Sequence, residues 1–427
     1  MVKFNKVFKF NIAVIVMLIG AMAHSDIAYS FNLRPALRSN YLSEEVIQKL
    51  VWSVKEFKPE DVKVKNGTKF GAVIKPGDLQ WEGIKVKYVI NPGVYQDEVN
   101  FPGKIFLFPR IVEDMTVDAK GERYVSHIGF AVLEKTPKSY KLSILNRPVL
   151  SPSFKTKNDI KFYKDGIIAY EDARIQAIGD NIVLQCTEAK KRTWHLAFYS
   201  IKKDAFKGFF ADPIDPLKFK RMSSVPGQTK NGNIIQLDDG RFFTYANTYD
   251  NEKFNGDIVA FIADSLEGQW EGPFPVDGLK KLKNIKGVEN RLSPGSPFMT
   301  RIMSKDYLFS ILNQSYVKEG TKFYRPVGML ADANDPTNII WKETEALFEP
   351  DKVSDKEKWQ HGQIDYDVVY VCGAVRSEKD KLLVFYGDHD YSVRAIELDL
   401  SKVIPARFYN KDQYIDELFT RAHRIGL

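Results

Sequence analysis

Cysteine is scarce in this chain. Cys186 and Cys372 are the only two in 427 residues, too few for a disulfide framework or a zinc knuckle. Isolated cysteines of this kind are most often buried thiols. No Lys/Arg run interleaved with aromatics appears, which argues against a nucleic-acid partner despite a net charge of +7. Among the histidines, His127, His195, His361 and His389 share no metal-ligand spacing, so no catalytic metal and no cofactor is indicated. P-loop, G-x-G-x-x-G and G-x-S-x-G motifs are missing, which removes NTPase, dinucleotide and serine-hydrolase readings. What is present is an ordinary globular balance, 44% hydrophobic and 27% charged, with a high aromatic share of 13%. Twenty-nine Phe and 20 Tyr suit β-structure and a glycan-binding or other apolar groove.

Residues 1–30 read as a secretory signal. Lys3, Lys6 and Lys9 form a basic start, Ile12 to Ile19 an apolar stretch, and Ala21-Met22-Ala23 a cleavage pattern. The apolar stretch is short for a bilayer span and no second one follows, so no stable membrane span is expected after cleavage. An uncleaved anchor is the competing reading. The spacing of Val46, Ile47, Leu50, Val51 and Val54 predicts a helix over 44–57, and Tyr414, Leu418 and Phe419 predict another over about 411–424.

Between these ends the chain repeats. Gly103 to Arg110, Asp180 to Glu188, Gly240 to Asn247, Asp306 to Asn313 and Asp380 to Asp390 each run from a polar turn through apolar residues to a polar end. A second series follows each by a loop and centres on a small residue: Ala131, Ala197, Ala260, Gly328 and Ala395. These fall 66, 63, 68 and 67 positions apart. Five copies at near-constant spacing predict an all-β fold, a five-bladed β-propeller over 81–405. It would carry short helical extensions at 31–80 and 406–427. A β-sandwich with coincidental spacing is the alternative.

In a propeller the innermost strands line one central channel. Here they would bring together Asn91, Glu171, Asp172, Arg174, Lys230, Asn233 and Asp367, joined by strand-end residues Arg110, Glu188, Asn247, Asn313 and Asp390. Such a polar funnel suits a polyhydroxylated ligand. Strand alternation would put Asp172 and Arg174 on one face and Glu171 on the other. Glycoside cleavage needs a proton donor at the leaving oxygen and a nucleophile or activated water opposite, and Asp172 is the candidate donor. An ordinary Asp–Arg pair closing a blade edge is the plainer reading of the same residues. Tyr324-Arg325 is either packing or a ligand clamp.

These segments resemble the glycoside hydrolase family 130 propellers, the mannoside phosphorylases and β-mannosidases. Asn91-Pro92 with Arg110, Tyr170-Glu171-Asp172-Ala173-Arg174-Ile175, Lys230 after Pro226-Gly227, Gly295-Ser296-Pro297, Tyr324-Arg325, Asp335-Pro336, Cys372-Gly373-Ala374 and Tyr386-Gly387-Asp388-His389-Asp390 follow that family's order. The resemblance implies β-mannoside substrates and inversion, with Asp172 as proton donor and Asn91, Arg110 and Asp390 holding the sugar. Glu171, Arg174, Tyr324 and Arg325 would assist in binding, and Lys230 would hold phosphate if a phosphate site is retained. Departures occur at Leu312-Asn313-Gln314, Ser126-His127 and Ala246-Asn247, where that family's anion-site residues are replaced. With too few cations for phosphate, water is the expected acceptor. Asp367, or second to it Glu289, would activate that water about 6.5–9.5 Å from the acid. The expectation is an exported β-mannosidase-like hydrolase acting on an oligosaccharide. A phosphorylase using inorganic phosphate and a silent glycan-binding propeller are its rivals.

Overall fold

The computed structural model describes residues 51–116, 124–152, 166–190, 193–213, 215–254, 256–279, 291–303, 305–318, 321–351 and 368–409. Residues 1–30, Glu289, His361, Asp367 and the segment expected to be helical at about 411–424 lie outside them. Three strands, β1 (Trp52–Phe57), β2 (Val62–Val64) and β3 (Gly67–Ile74), precede five antiparallel meanders. The first meander comprises β4 (Val86–Gln96), β5 (Lys104–Thr116), β6 (Tyr124–Ile128), β7 (Ala131–Lys135) and β8 (Tyr140–Leu145). The second has β9 (Ala169–Ile178), β10 (Asn181–Ala189), β11 (Trp194–Lys202), helix α1 (Lys203–Ala211) and β12 (Lys220–Ser224). The third has β13 (Thr229–Gln236), β14 (Phe242–Thr248), β15 (Ile258–Ala263) and β16 (Glu271–Pro275). The fourth has β17 (Arg291–Ser293), β18 (Pro297–Ile302), β19 (Lys305–Lys318), β20 (Thr321–Asp332) and β21 (Ile339–Lys342). The last has β22 (Val369–Glu378), β23 (Lys381–Asp388) and β24 (Ser392–Asp399), followed by the single turn α2 (Leu400–Val403). Among the described residues no helix is long and apolar enough to cross a membrane.

Both repeat series are strands, and within each meander the two series pair with each other. Leu107 faces Ala131, Cys186 faces Ala197, Tyr245 faces Ala260, Ile311 faces Gly328 and Phe385 faces Ala395. The four alanines are fully or almost fully buried. A Cβ on Gly328 would sit 3.0 Å from the ring of Trp341 on the neighbouring strand β21, so a small residue there makes room for that ring. Early strand β3 completes the last sheet by pairing with β24. One parallel pairing, Ser126 with Ala169, joins the first sheet to the second.

Of the helix expected over 44–57, residues 44–50 lie outside the described residues, and residues 52–57 correct the expectation for its second half. They form β1, antiparallel to β8, with Trp52 opposite Leu145 and Phe57 opposite Tyr140. Helical spacing required Val54 to face a core, yet it is 57% exposed. Pairing with the open edge of β8, anchored by buried Trp52 and Phe57, overrides the apolar period.

Between the first two meanders lies an aromatic core. Helix α1 lowers Phe206 and Phe209, three residues apart and hence on one face, into it. The Phe206 ring meets Phe106 edge-on at 5.1 Å, Phe101 at 5.7 Å and Phe130 at 5.9 Å. Phe206→Ala should therefore lower the unfolding free energy by about 3–5 kcal/mol. Denaturant titration against wild type measures this, and a loss below about 1 kcal/mol would mean the layer collapses onto the vacancy.

Candidate functional site

The first strand of each meander is interrupted at the same level. Pairing slips between Ile90 and Gly93 in β4, around Asp172-Ala173 in β9, between Lys230 and Asn233 in β13, and between Val371 and Gly373 in β22. In the fourth meander the equivalent strand is split, with Pro294-Gly295-Ser296 between β17 and β18. A bulge redirects side chains that alternation would otherwise separate. Asn91, Asp172 and Asn231 sit on three of these bulges with φ of 48°, 52° and 60°. That left-handed region is costly for L-residues and least so for Asn and Asp. Non-glycine strain repeated at one level of three neighbouring strands marks that level as the candidate site. The strands also approach closely there: a Cβ on Gly93 would lie 2.7 Å from the Ala173 carbonyl oxygen.

On these bulges a charge cluster assembles from separate meanders. Arg110 Nη2 donates to Glu171 Oε1 at 3.1 Å, Nη1 reaches Asp172 Oδ1 at 3.4 Å, and Nε donates to Ser126 Oγ at 3.2 Å. Ser126 in turn donates to the Tyr170 carbonyl at 2.9 Å, fixing the approach of β6 to β9. Asn91 Nδ2 donates to Asp172 Oδ1 at 2.9 Å. Lys230 Nζ donates to Glu171 Oε2 at 3.0 Å while standing 4.7 Å over the Trp194 ring. Asn91 is 5% exposed and its Oδ1 is buried with no hydrogen-bond partner among the described residues. Burial works to depress the pKa of Arg110, but the charges of Glu171, Asp172 and Asp390 outweigh it and hold the guanidinium above its ordinary value.

Two expectations change. Glu171 and Asp172 do not lie on opposite faces: the bulge at Asp172 turns both carboxylates onto Arg110. Arg174 is not the cation of the Asp172 carboxylate. Its Nη1 donates to the Asp172 main-chain carbonyl at 2.8 Å and Nη2 to the Pro294 carbonyl at 3.0 Å. From that place, 1% exposed, Arg174 holds the bulge itself. Beside it lie Tyr370 and Cys372, and burial raises both, Cys372 to about 12 and Tyr370 well above the usual phenol range. Cys186 is likewise buried, and both thiols are free.

The remaining candidates take different positions. Tyr324 packs edge-on against Tyr370 at 5.6 Å and its strand bridges to Val368. Arg325 donates to the Tyr324 carbonyl at 3.0 Å and forms an ion pair with Glu349. Asp390, with φ of 50°, sits in the turn after β23, close enough for its charge to act on Arg110 and Tyr88. Three amides expected in the funnel clamp neighbouring main chain instead. Asn233 donates to Gly295 O at 2.9 Å, Asn247 to Leu292 O at 2.7 Å, and Asn313 both donates to Val371 O and accepts from Val371 N. Glu188 belongs to a separate buried cluster, bidentate to Arg221 and accepting from Tyr199. Sequence reasoning missed Ser126, Trp194 and Tyr370 as partners. Asn91-Pro92-Gly93 and Asn231-Gly232, turn signals inside strand runs, were available pointers to the bulges.

No family model matches the chain, and no curated protein matches it either. Solved structures do share its fold. The β-1,2-mannobiose phosphorylase of Listeria innocua, solved with β-1,2-mannobiose, superposes with a TM-score of 0.57 at 17% identity, over 82% of this chain and 98% of its own. A glycosyl hydrolase from Bacteroides ovatus gives 0.54 at 18% identity, over 81% and 94%. The same figures hold for a structure from the GH130 family of mannoside phosphorylases, a family containing glycoside hydrolases that target β-1,2 mannosidic linkages in Candida mannan.

Proposed function

We propose that the five meanders are the blades of a five-bladed β-propeller and that the chain is an exported glycosidase cleaving β-mannosides with inversion. One observation carries this reading above the others: Asn91, Arg110, Glu171, Asp172 and Lys230, drawn from three meanders, converge on left-handed bulges of the inner strands. The reading is supported by the fold shared with the β-1,2-mannobiose phosphorylase of Listeria innocua and with the GH130 structure. Asn91 Nδ2 and Arg110 both hold Oδ1 of Asp172 and so orient the carboxyl that serves as proton donor. Asp367, one residue before Val368, is the candidate for activating water on the opposite face. Export rests on the basic, apolar and Ala-x-Ala pattern of residues 1–30.

Water is favoured over phosphate because the cations available for an anion are already committed. Lys230 is paired with Glu171, and Arg325 with Glu349. An incoming phosphate would have to displace a carboxylate from each. Incubating the purified protein with β-mannooligosaccharides, with and without inorganic phosphate, decides between acceptors. Free mannose at equal rates in both is expected, with the α-anomer appearing first by NMR. Strict phosphate dependence with mannose 1-phosphate as product would make the protein a phosphorylase. No turnover in either medium, with glycan binding intact, would leave a non-catalytic propeller.

A further inference from the structure

We propose that Tyr88, Tyr124 and Lys87 form a second sugar-binding subsite, one unit beyond the Arg110–Asp172 cluster, for a neutral hexopyranose ring of an oligosaccharide. The inference rests on the glycoside reading above and adds to it a preference for extended substrates.

Position comes first. Tyr88 lies on β4 three residues before Asn91, and Tyr124 lies on β6 two residues before Ser126, the hydroxyl that Arg110 Nε contacts. Strand alternation puts Tyr124 on the Ser126 face, roughly 7 Å further along. The turn carrying Asp390 packs against the same stretch of β4: Val89 N donates to Tyr391 O at 3.1 Å. A Cβ on Gly387 would come within 2.2 Å of Asn91 Oδ1. Tyr88 and Asp390 are thereby held side by side at the edge of the cluster, which agrees with the action of Asp390 on the Tyr88 phenol.

The chemistry fits a sugar better than an ion. The two rings meet edge-to-face at 6.2 Å and 78°. Lys87 Nζ lies 3.1 Å from Tyr124 Oη, 4.5 Å from the Tyr124 ring centre and 5.2 Å from that of Tyr88. All three side chains are half-buried, each an apolar body with a polar tip. Ring surface can meet the C–H faces of a pyranose while the two phenols and the ammonium serve its hydroxyls. Asp114 sits 4.0 Å from Lys87 and 2.6 Å from Lys85, so the rim carries no strong excess of positive charge and an anionic ligand is disfavoured.

The test compares kcat/KM for an aryl β-mannoside, which fills the cleavage site with one sugar, against β-mannobiose and β-mannotriose. In Tyr124→Ala and Tyr88→Ala, kcat/KM for the oligosaccharides should fall about 10-fold, with the aryl mannoside changed less than about 2-fold; ten-fold corresponds to about 1.4 kcal/mol. Thermal midpoints of the variants show whether the fold is kept. Should an alanine variant fail to fold, Tyr124→Phe keeps the ring and removes the hydroxyl beside Lys87, and a selective loss of about 3-fold is expected. Equal losses on all substrates, or none on any, would overturn the subsite while leaving the glycoside reading intact. If wild type cleaves none of these mannosides with or without phosphate, the glycoside reading fails and the subsite with it.

Discussion

Asp172→Asn should lose about 10²–10⁴-fold in turnover of a β-mannoside and keep its fold, because it removes one transferable proton and little else. Asparagine is the informative replacement at this position. The backbone at Asp172 has φ of 52°, a conformation Asn tolerates almost as well as Asp, whereas Ala would add a steric cost of about 1–2 kcal/mol. An Asn side-chain oxygen can still accept from Asn91 Nδ2 and face Arg110, so the contacts at 2.9 Å and 3.4 Å can persist. Steady-state rates, with a denaturation midpoint as control, are the measurement. Glycan binding by the variant within a few-fold of wild type would locate the loss in chemistry. Undiminished turnover would remove Asp172 from the role of acid, and Glu171, which shares the same guanidinium, would become the candidate.

Strand rhythm was readable in the sequence, since each of the five small positions of the second series pairs directly with a residue of the matching first-series strand. That legibility has a physical origin: a fully buried small residue beside a cross-strand neighbour in a tightly packed core tolerates little variation in size, so it leaves a mark at a near-constant interval. The first strands of the meanders were less legible, because their candidate residues sit where the two-residue period breaks. Alternation separates Glu171 from Asp172, and a left-handed residue reunites them. Nothing local in Glu171-Asp172-Ala173 announces that bulge, in contrast to Asn-Pro-Gly at 91–93. Asn247 and Asn313 show the converse error. An amide at a strand end looks like a ligand contact in sequence, but both side chains are almost wholly buried and serve the main chain of the next meander. Residues 52–57 failed for a third reason, a long-range partner in β8 that no local pattern encodes.

Arg110→Met should damage both stability and turnover. The guanidinium side chain is 18% exposed and faces two carboxylates with side-chain exposures of 15% and 12%. Truncating it takes the shared cation away from Glu171 and Asp172, leaving two like charges adjacent in a poorly solvated place. Breaking a buried pair in this way costs about 3–5 kcal/mol, and the residual water access of Arg110 argues for the lower end. Met keeps the apolar stem, so the loss reports the charge rather than the packing. Turnover should fall by about 100-fold or more, since the carboxyl proposed as proton donor loses the group that orients it. A second substitution separates the electrostatic account from simple disruption. In Arg110→Met/Glu171→Gln the repulsion is relieved, and about 0.5–3 kcal/mol of stability should return relative to the sum of the single changes. Activity should not return with it, because the orienting cation is still missing. Strict additivity in the denaturation cycle would show that Arg110 and Glu171 do not act on each other, and the charge cluster would lose its claim to be one unit.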